Sequence, residues 1–435
     1  MIRPARPSRT EFLKSIGVVG AAALTGGVSG CGGSIGSLVT PSGAAAPFTY
    51  GLAAAAGFEV LVQQYKTPHI FDGNFWFGGT TLHTCLDYLV AAGETDQTSQ
   101  VLPAAMGTYQ SLSGNPGWWK DDYGWWGVAF SFAIGHRRQL GYESHRHDEF
   151  FRDLLAAAHS CWQQMRSNWR EATYNRRVSG GFSDNAASAA DVRGGTFNNS
   201  PDGTNPPLSG RNSVTNGGLW ILSQLLAAMS PDNPEYGRSA AAESAWFASW
   251  LALPKRNAGR IGILNNLGLV LERPTGNRTD PAWYWSGDQG LFIRALSTNN
   301  PLAHNIAKSI MANMTDDRSV LHENLQYLKF KDLQTFEADY ATGKGILMRN
   351  LLPLIVANPS RYSSFVKANA SAVWCNRSHA NQFTYNWNPT AAEREPRILR
   401  VAGKSDRLCD LIMQAAGQEA LNLAVHIAPD ERIDC

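Results

Sequence analysis

Charge is what this sequence has least of. Only 17% of its 435 residues are Asp, Glu, Lys or Arg, and the net charge is +2; soluble domains usually carry about 25%. After the first few residues there is no basic block or stripe and no acidic tail. A nucleic-acid partner is excluded on that ground. Six cysteines are scattered along the chain, with no CxxC or Cys/His spacing, so no zinc site is expected, no other metal, and no cofactor. There is no G-x-S-x-G elbow, which argues against an esterase. No repeat of about 34 residues is visible, which argues against a solenoid. No Pro/Ser-rich or charged linker follows residue 50, so one large domain is expected.

The first residues, "RPARPSRTEFLK", are basic, and a Gly/Ala-rich apolar run follows. At about 14 residues that run is too short to span a bilayer comfortably and reads as a signal peptide. "VSGC" resembles a bacterial lipobox. Residues 1–30 are therefore expected to be a lipoprotein signal, Cys31 the lipidated residue, and 31–49 a flexible tether. This implies export to the bacterial cell envelope or beyond, and contact with membrane through the lipid only. The remaining chain, 50–435, is the expected domain. It is expected to act as a monomer.

The chain from 50 onward reads as a succession of helices, near 52–66, 78–92, 96–112, 122–139, 147–170, 213–229, 234–252, 287–298, 301–314, 342–358, 359–375 and 405–423. Apolar residues recur at helical spacing, as in Leu82, Cys85, Leu86 and Leu89, or Leu219, Leu222, Leu226 and Met229. Pro353 interrupts a helix pattern whose apolar residues include Ile346, Leu347, Leu351 and Leu354. Twelve helices in one all-α domain predict a closed double ring, an (α/α)6 barrel. Residues 171–211 and 260–274 break the pattern, and 260–274 is expected to form strand or hairpin.

Fourteen tryptophans are many for this length. In a weakly charged exported chain they suit a neutral, ring-shaped ligand such as a sugar. Four of them bracket two adjacent acids in "WWKDDYGWWG" (118–127). One reading is structural: Asp121 caps a helix and Asp122 sits in its first turn. The other is catalytic. Capping needs one acid, not two, and flanking indoles solvate carboxylates poorly, which raises a carboxyl pKa. Glycoside hydrolysis needs one ionised carboxylate and one protonated carboxylic acid, an asymmetry that a helix N-terminus and apolar neighbours create. Trp118, Trp119, Trp125 and Trp126 would offer flat faces to a sugar, and Trp126, Phe130 and Ala133 fall on one inward stripe.

The motif "KDDYGWWG", with "FDGNFWFGGTTLHTCLDYLVAAG" (71–93), "RNSVTNGGLWILSQLLA" (211–227), "WYWSGDQGLFIRAL" (283–296) and "GKGILMRNLLPLI" (343–355), resembles glycoside hydrolase family 76, the α-1,6-mannanase family. The patches run in order through most of the chain. The resemblance implies an (α/α)6 barrel and a retaining mechanism, with Asp121 as nucleophile and Asp122 as acid/base. It implies sugar contacts from Trp125, Trp126, Asn216, Asp288 and Gln289, and an α-linked polysaccharide or oligosaccharide as substrate. Two departures stand out. "SGGFSDN" (179–185) lacks the tryptophan of a family "GGG-x-x-W" motif, and Asp288 replaces an amide of "YNQG", adding a third acid. The loop 183–210 is expected to tune substrate choice. Three other functions share these features in part: a transglycosidase of the same fold, a glycan-binding lipoprotein without catalysis, and a sugar epimerase. The epimerase would need histidines beside the aromatic motif, where none occurs. "HRH" (145–147) and the Asp pair of "MTDDR" (314–318) read as a polar helix start and a solvated loop.

Overall fold

The structure is a computed structural model. It describes residues 48–63, 74–96, 99–115, 118–169, 194–198, 211–252, 262–275, 284–323, 337–388 and 406–435. Cys31, the tether up to residue 47, the 179–185 motif and most of the 183–210 loop lie outside the described residues. So does the side chain of Cys409.

Twelve α-helices occur among the described residues. They are α1 (Tyr50–Val62), α2 (Phe75–Ala92), α3 (Val101–Leu112), α4 (Lys120–Gly135), α5 (Asp148–Arg166), α6 (Ser213–Met229), α7 (Pro234–Ala252), α8 (Ser286–Leu296), α9 (Pro301–Asn313), α10 (Glu337–Ala357), α11 (Pro359–Cys375) and α12 (Asp406–Ile427). The even-numbered helices pack each against the next, and α12 packs against α2, so they close a ring. The odd-numbered helices lie outside: α1 on α12 and α2, α3 on α2, α5 on α4 and α6, α7 on α6, α9 on α8, and α11 on α12 and α10. This is the (α/α)6 barrel.

Residue chemistry explains which helices lie inside. On α6, every residue from Ser213 to Ser223 is buried, as a helix enclosed on all sides requires. The outer α5 instead buries one stripe, with Phe151, Leu154, Ala158, Cys161, Trp162 and Met165 inward. Glycines let inner helices approach closely. A Cβ added at Gly290 of α8 would lie 2.7 Å from Leu347 Cα on α10, and one at Gly345 would lie 2.6 Å from Ala416 Cα on α12.

Side-chain oxygens satisfy the first backbone N–H groups of several helices. Asn74 accepts from Phe77 N–H and Asn212 from Thr215 N–H. The helix expected from residue 96 begins only at Val101, because the buried Asp96 carboxylate accepts from Val101 and Leu102 N–H and from the Tyr142 hydroxyl. Pro353 lies inside α10, and Ile346, Leu347, Leu351 and Leu354 are buried as the pattern suggests. Residues 260–274 contain the hairpin: β1 (Gly262–Leu264) pairs antiparallel with β2 (Val270–Thr275). A disulfide joins Cys375 at the end of α11 to Cys435, with the Cα atoms 5.4 Å apart. Among the described residues no helix is long and apolar enough to cross a membrane.

Candidate active site

The site lies at the N-terminal end of the inner ring. α4 begins at Lys120, with Trp119 as N-cap. The structural reading of the Asp pair therefore needs correction: Asp121 is not the cap. Asp122, at the third helical position, reaches back and accepts the Trp119 N–H through Oδ2 at 3.1 Å. That bond closes a capping box at the start of α4 and fixes the orientation of the Asp122 carboxyl.

Asp121 points the other way. It is half-buried and lines a cavity on the barrel axis, together with His83, Trp125, Arg349 and Asn350. The Thr215 hydroxyl, at the start of α6, donates to Asp121 Oδ1 at 3.4 Å. Burial raises the Asp121 pKa to about 6, with a further push from the negative charge of Glu272. The carboxyl with the raised pKa and the carboxyl held by the helix terminus are thus separate groups, one facing the cavity and one facing backbone. Both lie where inner-helix N-termini converge, a region of positive potential suited to acids.

The adjacent tryptophans divide in the same way. Trp125 is 8% exposed and lines the cavity, with the Arg349 guanidinium 5.8 Å from its ring centroid. Trp126 is 0% exposed, and its Nε1–H donates to Phe75 O at 2.7 Å. Phe75, Tyr109 and Phe130 surround its ring. Trp126 is therefore a core residue and no sugar platform: one residue of helix rotates it about 100° from Trp125 and into the packed side of α4. Trp118 is half-buried, stacked on Phe75 and donating to Leu112 O at 2.8 Å.

The two expected amide ligands also have other work. Asn216 Oδ1 accepts from Thr196 N–H at 2.7 Å, and its Nδ2 donates to Thr196 O and to Asn212 O. It holds the segment 194–198, in which Asn198 O accepts the Lys120 N–H at 2.9 Å, one residue before Asp121. Gly195 takes φ +93°, and a Cβ there would lie 2.5 Å from Trp246 Nε1. On α8, Gln289 Oε1 accepts from Val270 N–H at 2.7 Å while Nε2 donates to Val270 O and Trp285 O. It clamps β2, the strand that carries Glu272. Neither amide is left for a sugar hydroxyl. Asp288 is fully buried in the first turn of α8 rather than exposed on a cleft wall.

Three residues at or near the cavity were missed from sequence. Glu272 is buried, its pKa raised by burial and lowered by Arg273 beside it. Arg349 donates to Thr80 O at 2.9 Å and to Glu419 Oε1 at 3.1 Å, deep in the inner ring. His83 is held well below its ordinary pKa by burial and by Arg349. The first two carried a legible signal, a charge inside an apolar run ("LVLERP", "GILMRNLL"). His145 pairs with Asp148 at an exposed helix start, and Asp316 accepts from Arg318 and Val320 N–H within a turn. Among the described residues no group of three or more His, Cys, Asp or Glu could hold a metal ion.

The sequence matches no protein-family model and no curated protein. Solved structures do match. One is an inactive variant of an α-1,6-mannanase of family 76 from Salegentibacter sp. HEL1_6, with two consecutive aspartates changed to asparagine, in complex with α-1,6-mannotriose. It is 18% identical, the match covers 87% of this chain and 99% of that one, and the TM-score is 0.57. The fold is that of family 76 glycoside hydrolases. Dfg5 from Chaetomium thermophilum, in complex with glucosamine, matches at 16% identity, covering 80% of each chain with a TM-score of 0.54. A family 76 α-mannanase from Bacteroides thetaiotaomicron matches at 10% identity, covering 86% of this chain and 95% of that one, with a TM-score of 0.53.

Proposed function

We propose that this chain is a retaining glycoside hydrolase of family 76 that cleaves α-linked mannan, acting as an endo-α-1,6-mannanase. The observation that carries the reading is the Asp121–Asp122 pair at the N-terminal end of an inner helix, on a fold whose Salegentibacter representative is inactive when two consecutive aspartates are replaced. The α-1,6-mannotriose bound to that protein supports the substrate class.

In the proposed reaction Asp121 attacks the anomeric carbon as the bond to the leaving oxygen breaks, and Asp122 gives that oxygen its proton. Asp122 then takes a proton from water, which attacks the anomeric carbon and releases Asp121. Asp121 must be ionised to attack, so its pKa of about 6 sets the acid side of the pH profile. Trp125 on the cavity wall would pack against a sugar ring. Digestion of a panel of α-linked polysaccharides, with product sizing, tests the activity. Release of oligosaccharides from α-1,6-mannan is expected; no product from any α-mannan would refute it. Adding a sugar acceptor separates hydrolysis from transfer, since both share the covalent intermediate.

Export and anchoring through Cys31 belong to the same proposal, supported by "VSGC" after a short apolar run. Labelled palmitate should enter the wild type and not Cys31→Ser; equal labelling of both rejects the anchor.

A further inference from the structure

The opposite end of the inner ring holds a second cavity, of about 250 Å³, between the C-terminal halves of α6, α8 and α10. Its polar side chains are Arg294, Gln224, Ser297, Thr298 and Asn350; the remaining walls are mostly aliphatic. Asn350 also borders the cavity beside Asp121, so the two share a wall.

From this arrangement we infer a binding site for a small oxyanion at the far end of the barrel, with Arg294 as its anchor. Three observations carry it. First, no carboxylate lines the cavity. Second, each amide there spends one N–H on backbone and keeps one: Gln224 Nε2 donates to Ala295 O at 2.9 Å and Asn350 Nδ2 to Ile346 O at 2.8 Å. The hydroxyls of Ser297 and Thr298 remain as donors. Third, Arg294 makes no hydrogen bond or ion pair among the described residues, although it is exposed to the cavity and enclosed by enough neighbours to depress its pKa through lost solvation.

An Arg in the last turn of a helix has a simpler role, opposing the helix dipole and capping the last carbonyls. Arg294 caps none. The Ala295 carbonyl that it could serve is taken by the neutral Gln224 amide. The C-terminal halves of α6, α8 and α10 all border the cavity, but each terminus presents only about half a negative charge and its field falls off within the last turn. A guanidinium offers five N–H donors in a planar fork that matches phosphate, sulfate or carboxylate.

The test uses the intact chain. Phenylglyoxal modification of Arg294, followed by mass spectrometry, is measured in chloride and in inorganic phosphate, sulfate or acetate at equal ionic strength. One of these oxyanions should slow modification of Arg294 at least threefold, saturably. Mannose 6-phosphate is run alongside: stronger protection than inorganic phosphate means the oxyanion is carried on a sugar, and equal protection means it is free. Arg294→Gln should weaken the calorimetric affinity for the protecting ion at least tenfold and leave glycosidase activity unchanged. Equal modification in all salts, or wild-type affinity in Arg294→Gln, overturns the site. If that variant does not fold, the labelling of the wild type decides alone.

Discussion

Asn216 on α6 and Gln289 on α8 occupy equivalent places and do the same work on different walls. Each is the fourth residue of an inner helix. Each satisfies both the N–H and the C=O of one backbone residue, as a neighbouring strand would, and each donates back to the N-cap carbonyl of its own helix. They differ in what they hold. Asn216 grips a segment that bonds the first N–H of α4, the helix that carries the Asp pair. Gln289, one methylene longer, grips the strand carrying Glu272. The lesson is that a side-chain amide beside a proposed sugar site can belong to the wall rather than to the ligand. A buried amide with all its polar atoms used is costly to remove, because it leaves two backbone groups unpaired.

The comparison requires that acids and clamps fail differently, and the largest effects are expected from the acids. Asp121→Ala should abolish turnover on α-mannan without loss of stability. Asp122→Ala should cost roughly 10²–10⁴-fold, less on substrates with good leaving groups. Azide should partly rescue it and yield a glycosyl azide of retained configuration. Wild-type rates in both variants would reduce the pair to a helix start.

A further contrast sits within α4. Trp126→Ala should lower unfolding free energy by about 3–5 kcal/mol in denaturant titrations, as for a buried aromatic. Trp125→Ala should instead raise KM with a smaller loss of stability than Trp126→Ala. Equal stability losses would mean that Trp125 is also core.

The clamps come next. Asn216→Leu and Gln289→Leu should each cost about 2–4 kcal/mol of stability, from two backbone groups left unsatisfied. Their kinetic effects should separate. The first should lower kcat by loosening the start of α4, and the second should shift the pH profile by loosening the strand of Glu272. Identical kinetic changes would dissolve the distinction between the two walls.

The smallest expected effect is on pH. Activity should rise as pH increases through about 6, where Asp121 becomes ionised. The Glu272 charge raises that pKa, so Glu272→Gln should move the acid limb to lower pH. A limb near 6 on which activity falls with rising pH would make Asp121 the proton donor instead.

By itself, the sequence determined the helices and the candidate chemistry. Helical spacing in several segments, with Gly, Asn and Pro at the joins, marked all twelve helices to within about five residues, because burial of one stripe is a local pattern. The stretch 260–274 was legible as strand or hairpin, and the structure makes it the hairpin of β1 and β2. The Asp pair was legible because crowded charges among indoles are costly anywhere. Only the tertiary structure decided which neighbour faces what. Trp125 and Trp126 are equivalent in sequence, yet one lines a cavity and the other bonds Phe75 inside the core. Asn216 and Gln289 read as free amides until the partner segments, Thr196 and Val270, are seen against them. Gly194 and Gly195 meet Trp169 and Trp246 of the described wall. Glu272 lies 151 positions after Asp121, and no local pattern tells one carboxylate that another shares its field. Periodicity states which face of an element is buried; what covers that face depends on contacts between segments far apart in the chain.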